Sequence, residues 1–173
     1  MTETPILSRL VKVDDIPGGQ IDVTIEASEQ ERAALARDFG LVEIARLVGR
    51  YRVERRGRYV HVTGRVEATI EQTCVVTLEP FAAEIGEDVD LRYTEPHFIE
   101  DQAEEGEEHE VDLDAPDPIE NGRVDLGALT AEILSLGLDP YPRKPGASFA
   151  FGEPAPEPSP FAKLASLKKT PEE

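Results

Sequence analysis

The chain has 173 residues, about the length of one domain and enough for an ordinary core, with 39% hydrophobic and 31% charged residues. Its 36 Asp and Glu outnumber 18 Lys and Arg, and the net charge of −18 disfavours a uniform nucleic-acid coat, because phosphates would be repelled. One cysteine excludes an internal disulfide, and no apolar run approaches the roughly 18 residues needed to cross a bilayer. The start, MTETPILSRLVKVDD, has neither the basic end nor the apolar stretch of a signal peptide, so a cytoplasmic protein with no membrane partner is expected.

The charge is unevenly spread. Residues 1–65 carry 11 Arg or Lys and 10 Asp or Glu, and the remainder carries 7 and 26. Residues 46–65 hold seven arginines against Glu54, whereas 100–120 hold eleven acids and no Lys or Arg. Such a chain either neutralises itself or presents two faces, and pattern alone does not choose.

In chain order, Leu7–Val13 and Gln20–Glu26 read as strands around the turn signal Ile16-Pro-Gly-Gly19. Ser28 and Glu31 fit a capping box, each side chain accepting a backbone N–H of the other residue, and open a helix over Glu29–Arg37 that stops near Gly40. Its apolar face is thin, Ala34 and Leu35, which predicts a place at a sheet edge.

Two long alternating segments, 43–55 and 58–73, predict an antiparallel hairpin through Arg56-Gly57. Period two puts Leu47, Tyr51 and Val53 on one face, with Val60, Val62, Val66, Ala68 and Ile70 from the partner strand. The other face receives Arg46, Arg50, Arg52 and Arg56, with Tyr59, His61, Thr63 and Arg65. Gly49 and Gly64 are candidate bulges.

Phe81–Tyr93 reads as a further strand with Ile85, Val89, Leu91 and Tyr93 inward and an irregularity at Gly86. The acidic stretch 97–118 predicts a solvated loop, and Asn121-Gly122 a tight turn. Asp125 is placed to cap a helix over Leu126–Leu136 with an apolar stripe of Leu126, Leu129, Ile133 and Leu136, stopped by Gly137 and the prolines at 140 and 142. Residues 150–160 form a Pro-rich linker, and Ser159-Pro160 open a short helix, Phe161–Lys169.

The fold expected is α+β: mainly antiparallel sheet, able to curl into a partly closed barrel, with one main packed helix, a smaller helix and a mobile C-terminal tail. Residues 1–149 would form one domain and 150–173 the linker and tail.

The run Ile70-Glu-Gln-Thr-Cys74-Val-Val-Thr77-Leu-Glu-Pro80-Phe81, the segment Gly122 to Leu138 followed by Asp139-Pro-Tyr-Pro142, and the closing Ser159-Pro-Phe-Ala-Lys-Leu-Ala-Ser-Leu-Lys-Lys169 occur in that order. Together they resemble the YceD family of large ribosomal RNA subunit accumulation proteins. The resemblance implies a non-enzymatic factor that maintains large-subunit ribosomal RNA, with the RNA precursor or a pre-ribosomal particle as partner. Genes of the family often neighbour one for a small basic ribosomal protein, a second candidate partner. Many relatives carry Cys-x-x-Cys where this chain has Cys74-x-x-Thr77, and some carry a cysteine where it has Lys144-Pro-Gly-Ala-Ser148. With one Cys, and His61, His97 and His109 widely spaced, a four-ligand zinc site is not expected.

The candidate contact residues for RNA or ribosome are Arg46, Arg50, Arg52, Arg56, Arg58, Tyr59, His61 and Arg65. Arginine engages phosphate bidentately, and aromatic rings stack on bases. The alternative is a solvated sheet face, or a surface that pairs with the chain's own acidic loop. Phe161, Leu164, Leu167, Lys168 and Lys169 are candidates for docking into a protein groove, or onto the chain's own domain. The acidic stretch is either a solubilising loop or a shield for a basic ribosomal protein. Cys74 reads as a small buried residue at a strand end. No catalytic residue, metal ligand or cofactor is assigned, since no phosphate-binding glycine loop, Gly-x-Ser-x-Gly or His-Glu-x-x-His motif occurs.

Overall fold

The structure, a computed structural model, describes residues 5–96 and 115–148. It contains strands β1 (Leu10–Lys12), β2 (Gln20–Glu26), β3 (Glu43–Arg56), β4 (Tyr59–Thr73), β5 (Pro80–Thr94), β6 (Asp117–Pro118) and β7 (Arg123–Asp125), and helices α1 (Glu29–Asp38) and α2 (Leu126–Leu136). A five-stranded sheet has the order β2-β3-β4-β5-β6, and β1 pairs with β7 in a small second sheet. All pairings are antiparallel except β5 with β6. Among the described residues the large sheet stays open, and no barrel closes.

The β3–β4 hairpin runs through the turn at Gly57, whose φ of 64° is the left-handed conformation that glycine enters without a steric penalty. Alternation places Leu47, Tyr51 and Val53 with Val60, Val62, Val66, Ala68 and Ile70 on the inner face, all buried. Val89 of β5 is buried beside them, while Ile85, Leu91 and Tyr93 are partly covered.

The expected bulges sit elsewhere. The ladder passes through Gly49 (opposite Val66) and Gly64 (opposite Tyr51) without a slip, and the register shift falls between Ile44 and Arg46. It brings Ile44 onto the buried face although its parity opposes that of Leu47. Gly86 introduces no irregularity either, as β4 and β5 pair continuously from Tyr59–Thr94 to Thr73–Pro80. These strand glycines answer to close approach. A Cβ on Gly64 would lie 2.1 Å from the Arg50 carbonyl oxygen. One on Gly49 would lie 2.6 Å from the Tyr51 ring and 2.7 Å from Thr130 Oγ1.

That second contact seats α2 on the sheet. Tyr51 lies over Gly49, and its hydroxyl meets Thr130 Oγ1 at 2.8 Å. Thr130 donates to the Leu126 carbonyl at 2.7 Å, so the Tyr51 hydroxyl is left as donor to Thr130. The buried face of α2 is therefore Leu126, Gly127, Leu129, Thr130 and Leu134, with Ile133 partly covered. Leu136, expected in the stripe, is 74% exposed.

At the start of α2, Asp125 acts as the expected cap, accepting from the amides of Gly127 and Ala128. It also accepts from the Arg9 amide at 2.7 Å and the Ser8 hydroxyl, which straps the N-terminal segment across the first helical turn. Gly127 permits the crossing, since a Cβ there would lie 2.6 Å from the Arg9 nitrogen. The expected strand over 7–13 is correspondingly short: Leu7 is an anchor, Leu10–Lys12 pair with β7, and Val13–Asp15 turn as a 3-10 helix.

The capping box of α1 forms as expected, with the Ser28 amide donating to Glu31 and the Glu31 amide donating back to the Ser28 hydroxyl. Arg9 adds an ion pair to Glu31 at 2.9 Å. Arg9 first, then Ser28, draw the Glu31 carboxyl down to about 2 against the opposing effect of burial. The helix takes the place beside β3 that β2 vacates after Glu26, with Ala27 and Arg32 bonded to the Leu47 and Ile44 carbonyls.

The described end of the acidic stretch is exposed but joins the sheet. Asp117–Pro118 form the edge strand β6, and the neighbouring Ile119 is buried with its amide on the Thr94 carbonyl. Asn121 and Gly122 make the expected turn, with φ of 52° and 68°. Most of the acidic stretch and the predicted tail helix lie outside the described residues.

The Gly49 contact gives a prediction. Gly49→Ala should destabilise the fold by about 1–3 kcal/mol through overpacking, and Tyr51→Phe by about 1 kcal/mol through loss of one buried hydrogen bond. Urea melts of both variants measure this, and an unchanged midpoint for Gly49→Ala would contradict the close seating of α2.

Candidate functional site

The face of the sheet opposite α2 collects the arginines. Arg46, Arg50, Arg52 and Arg56 of β3 and Tyr59, His61 and Arg65 of β4 all fall on it, as alternation predicts. Arg58 lies in the hairpin turn with its guanidinium 4.9 Å from the centre of the Tyr59 ring, a cation–π distance. Arg55 has the opposite parity and pairs with Asp14 at 2.9 Å. The tail candidates Phe161, Leu164, Leu167, Lys168 and Lys169 lie outside the described residues.

Sequence reading did not find the carboxylates that interleave with these arginines. Register places Asp22 of β2 opposite Arg52, and Arg65 between Arg50 and Asp88. The ion pairs are Arg52–Asp22 at 2.9 Å, Arg50–Glu67 at 2.6 Å, Arg46–Glu67 at 3.6 Å, Arg65–Asp88 and Arg56–Glu54. His61 Nε2 meets Asp90 at 2.6 Å. Arg52 holds the Asp22 carboxyl below its usual range, and Arg50, then Arg46 and Arg65, do the same to Glu67. Arg65 also lies flat across Gly86, donating to its carbonyl at 3.2 Å, and a Cβ there would lie 2.5 Å from the guanidinium. The glycine read as an irregularity is thus the floor under an arginine.

The face is a mixed-sign field rather than a basic patch. Its guanidinium groups are about half exposed and stand in fixed rows across adjacent strands. Exposed pairs of this kind contribute only about 0–1 kcal/mol each, so an incoming oxyanion can take an arginine from its carboxylate at little cost.

A second constellation lies around Cys74. The thiol is fully buried, and its sulfur accepts from the amides of Val76, Thr77 and Lys144 at 3.3–3.5 Å. The Val75 amide donates to the Pro142 carbonyl, and Lys144 Nζ pairs with Glu79 at 2.9 Å. The two segments where relatives were expected to carry cysteines therefore meet, but only one sulfur is present. The Thr77 hydroxyl, then the Lys144, Thr77 and Val76 amides, favour the thiolate and bring Cys74 to about 7 although burial opposes this. Among the described residues no three His, Cys, Asp or Glu side chains are grouped to hold a metal ion.

Fold and surface together define a class: an α+β domain whose open antiparallel sheet is covered by helix on one face and offers charge to solvent on the other. The family model described as large ribosomal RNA subunit accumulation protein YceD matches residues 62–168, and the chain belongs to that family. The family description links it to the large ribosomal subunit. No curated protein and no solved structure matches. Among the described residues, no helix is long and apolar enough to cross a membrane.

Cys74 gives a pH prediction. A group whose folded value is lowered adds stability above its unfolded value, and that contribution is lost as pH falls through the folded one. The native protein should therefore gain stability relative to Cys74→Ala as pH rises from about 7 to about 9. Urea titrations at several pH values measure the difference, and parallel curves would show that the sulfur stays protonated.

Proposed function

We propose that this protein supports the accumulation of large-subunit ribosomal RNA by binding the RNA precursor or an assembling large subunit with the outer face of its sheet. It works in the cytoplasm as a binding factor, without catalysis or a cofactor. The observation that carries this reading is the row of half-exposed guanidinium groups, Arg46, Arg50, Arg52 and Arg65, held in register on a solvent-facing sheet of a chain in this family.

The ion pairs orient each guanidinium before binding, and phosphate can replace carboxylate with the same bidentate geometry. Tyr59 under Arg58 offers a ring for stacking near the hairpin tip. The carboxylates left on the face repel a polyanion that does not match their spacing, which disfavours bulk RNA against a particular assembling surface. The segment carrying Phe161, Leu164, Leu167, Lys168 and Lys169 would meet a protein of the same particle.

Arg50→Gln, Arg52→Gln and Arg65→Gln combined should leave the fold intact and weaken co-sedimentation with large-subunit precursors by roughly tenfold or more, since charge-assisted bonds are the strong ones. Depleting the protein should lower the ratio of large- to small-subunit ribosomal RNA. Unchanged co-sedimentation would remove the face from the proposal, and an unchanged ratio would remove the function.

A second reading, an acidic chaperone for a small basic ribosomal protein, is favoured by a groove of about 720 Å³ beside α2 lined by Tyr93, Asp117, Glu120 and Glu132, with Arg123 on the same lining. Burial first, then Asp117 and Glu132, push the Tyr93 phenol up to about 12. Neutralising those three acids, or deleting residues 100–110, should abolish low-salt capture of the basic protein on this reading and leave particle binding unchanged.

A further inference from the structure

We propose that the cleft between α1 and α2 is the resting seat of the chain's own segment 159–169, docked in cis. The inference goes beyond the ribosomal reading and does not depend on it. The cleft has a volume of about 450 Å³, and its apolar wall is formed by Ile6, Leu35, Phe39, Ala131 and Leu136. Leu35 is buried at its base, while Ile6 and Leu136 stand 40% and 74% exposed at its rim. Leu136 continues the helix past the face that meets the sheet, so its exposure is left over once α2 has seated on Thr130. Two acids, Asp38 and Glu132, line the same opening.

The segment 159–169 has the complementary chemistry. Phe161, Leu164 and Leu167 recur every third residue, which places three apolar groups along one side of a short helix. Lys163, Lys168 and Lys169 supply the charge opposite to Asp38 and Glu132. Alanines and a serine between them (Ala162, Ala165, Ser166) keep the rest of the segment slim enough for a cleft that is itself walled by Ala128 and Ala131.

The tether makes the intramolecular seat the favoured occupant. The chain leaves the cleft wall directly after Leu136, and residues 139–148 stay on the domain through the Pro142–Val75 and Lys144–Cys74 bonds. Residues 149–160 then separate Ser148 from Phe161, a reach of up to about 40 Å when extended. A domain of this size has a radius of gyration of about 14 Å, so a linker of this length spans a large part of its surface. A short linker gives an effective concentration on the order of millimolar, and even a weak contact is then populated. A protein partner that engages Phe161, Leu164 and Leu167 must displace the domain's own cleft, and its apparent affinity falls by the fraction of chains docked.

The test uses the full-length chain labelled with ¹⁵N. Replacing Phe161, Leu164 and Leu167 together by Ser should shift the amide resonances of Ile6, Leu35, Phe39, Ala131 and Leu136 and leave those of Arg50, Arg52 and Arg65 in place. In the reverse direction, Leu136→Glu, at an exposed position that does not threaten folding, should lower the heteronuclear NOE of residues 161–167. Both effects should weaken as salt is raised and should be independent of protein concentration. Unmoved cleft resonances, or a tail whose NOE ignores Leu136→Glu, would overturn the proposal. Shifts that vanish on dilution would overturn it too, by assigning the cleft to a second copy's tail.

Discussion

Everything else in the molecule rests on how closely α2 lies on the sheet at Gly49. Without a side chain there, Tyr51 can fold back over its own strand and reach Thr130 in the middle of the helix. The bond satisfies two buried hydroxyls at once, and an unpaired hydroxyl in that position would cost about 1–3 kcal/mol. It also fixes the rotation of α2, turning Leu126 and Leu134 inward and Leu136 outward. The N-terminal strap then has one place to cross, over Gly127, where Asp125 serves both the helix and the strap. A single steric allowance thus sets the orientation of α2, the path of the first ten residues and the cleft beside α1.

An antiparallel sheet covered on one side commits its other side to water. On that side, among the described residues, charges of both signs interleave. The arginines of β3 and β4 on this face pair with Asp22 from β2, Glu54 and Glu67 from the hairpin, and Asp88 from β5, while Asp90 of β5 meets His61. Among the described residues, the acids that pair are those the register brings alongside. The outer face keeps exposed guanidinium groups whose orientation is set but whose partners are weakly held.

Much of this was legible in the sequence where one physical rule acts alone. Alternation gave the hairpin, its buried valines and the face of every candidate arginine except Arg58 in the turn, because side-chain direction in a regular strand depends on parity only. The caps of both helices were legible for the same reason: Ser28 with Glu31 and Asp125 are local. What failed depended on partners distant in sequence. A glycine within a strand signals either a bulge or a close approach, and only the neighbours, Tyr51 and Thr130 at Gly49 or Arg65 at Gly86, decide between them. The true slip was detectable, since the apolar pattern changes phase between Ile44 and Leu47. The stripe of α2 held at Leu126, Leu129 and Ile133 and failed at Leu136, because counting apolar residues overlooks Gly127 and Thr130, which mark the closest contacts. The ion pairs required a register that no single strand contains.

The junction at Cys74 ties two turns distant in sequence to each other. Where the family resemblance implies paired cysteines, this chain offers one sulfur, a threonine and a lysine. The sulfur's acceptor capacity is taken by three amides, and Lys144 closes the gap to Glu79. Hydrogen bonds of this kind contribute about 0.5–1.5 kcal/mol each, so several together can pin the 142–147 turn to the 74–79 turn. The pin matters beyond its own stability. It holds the chain after α2 against the far end of the β4–β5 pair, so residues from 149 onward start from a fixed point. A tail launched from a fixed point has a defined local concentration at every surface within reach, and a weak apolar cleft then suffices to hold it.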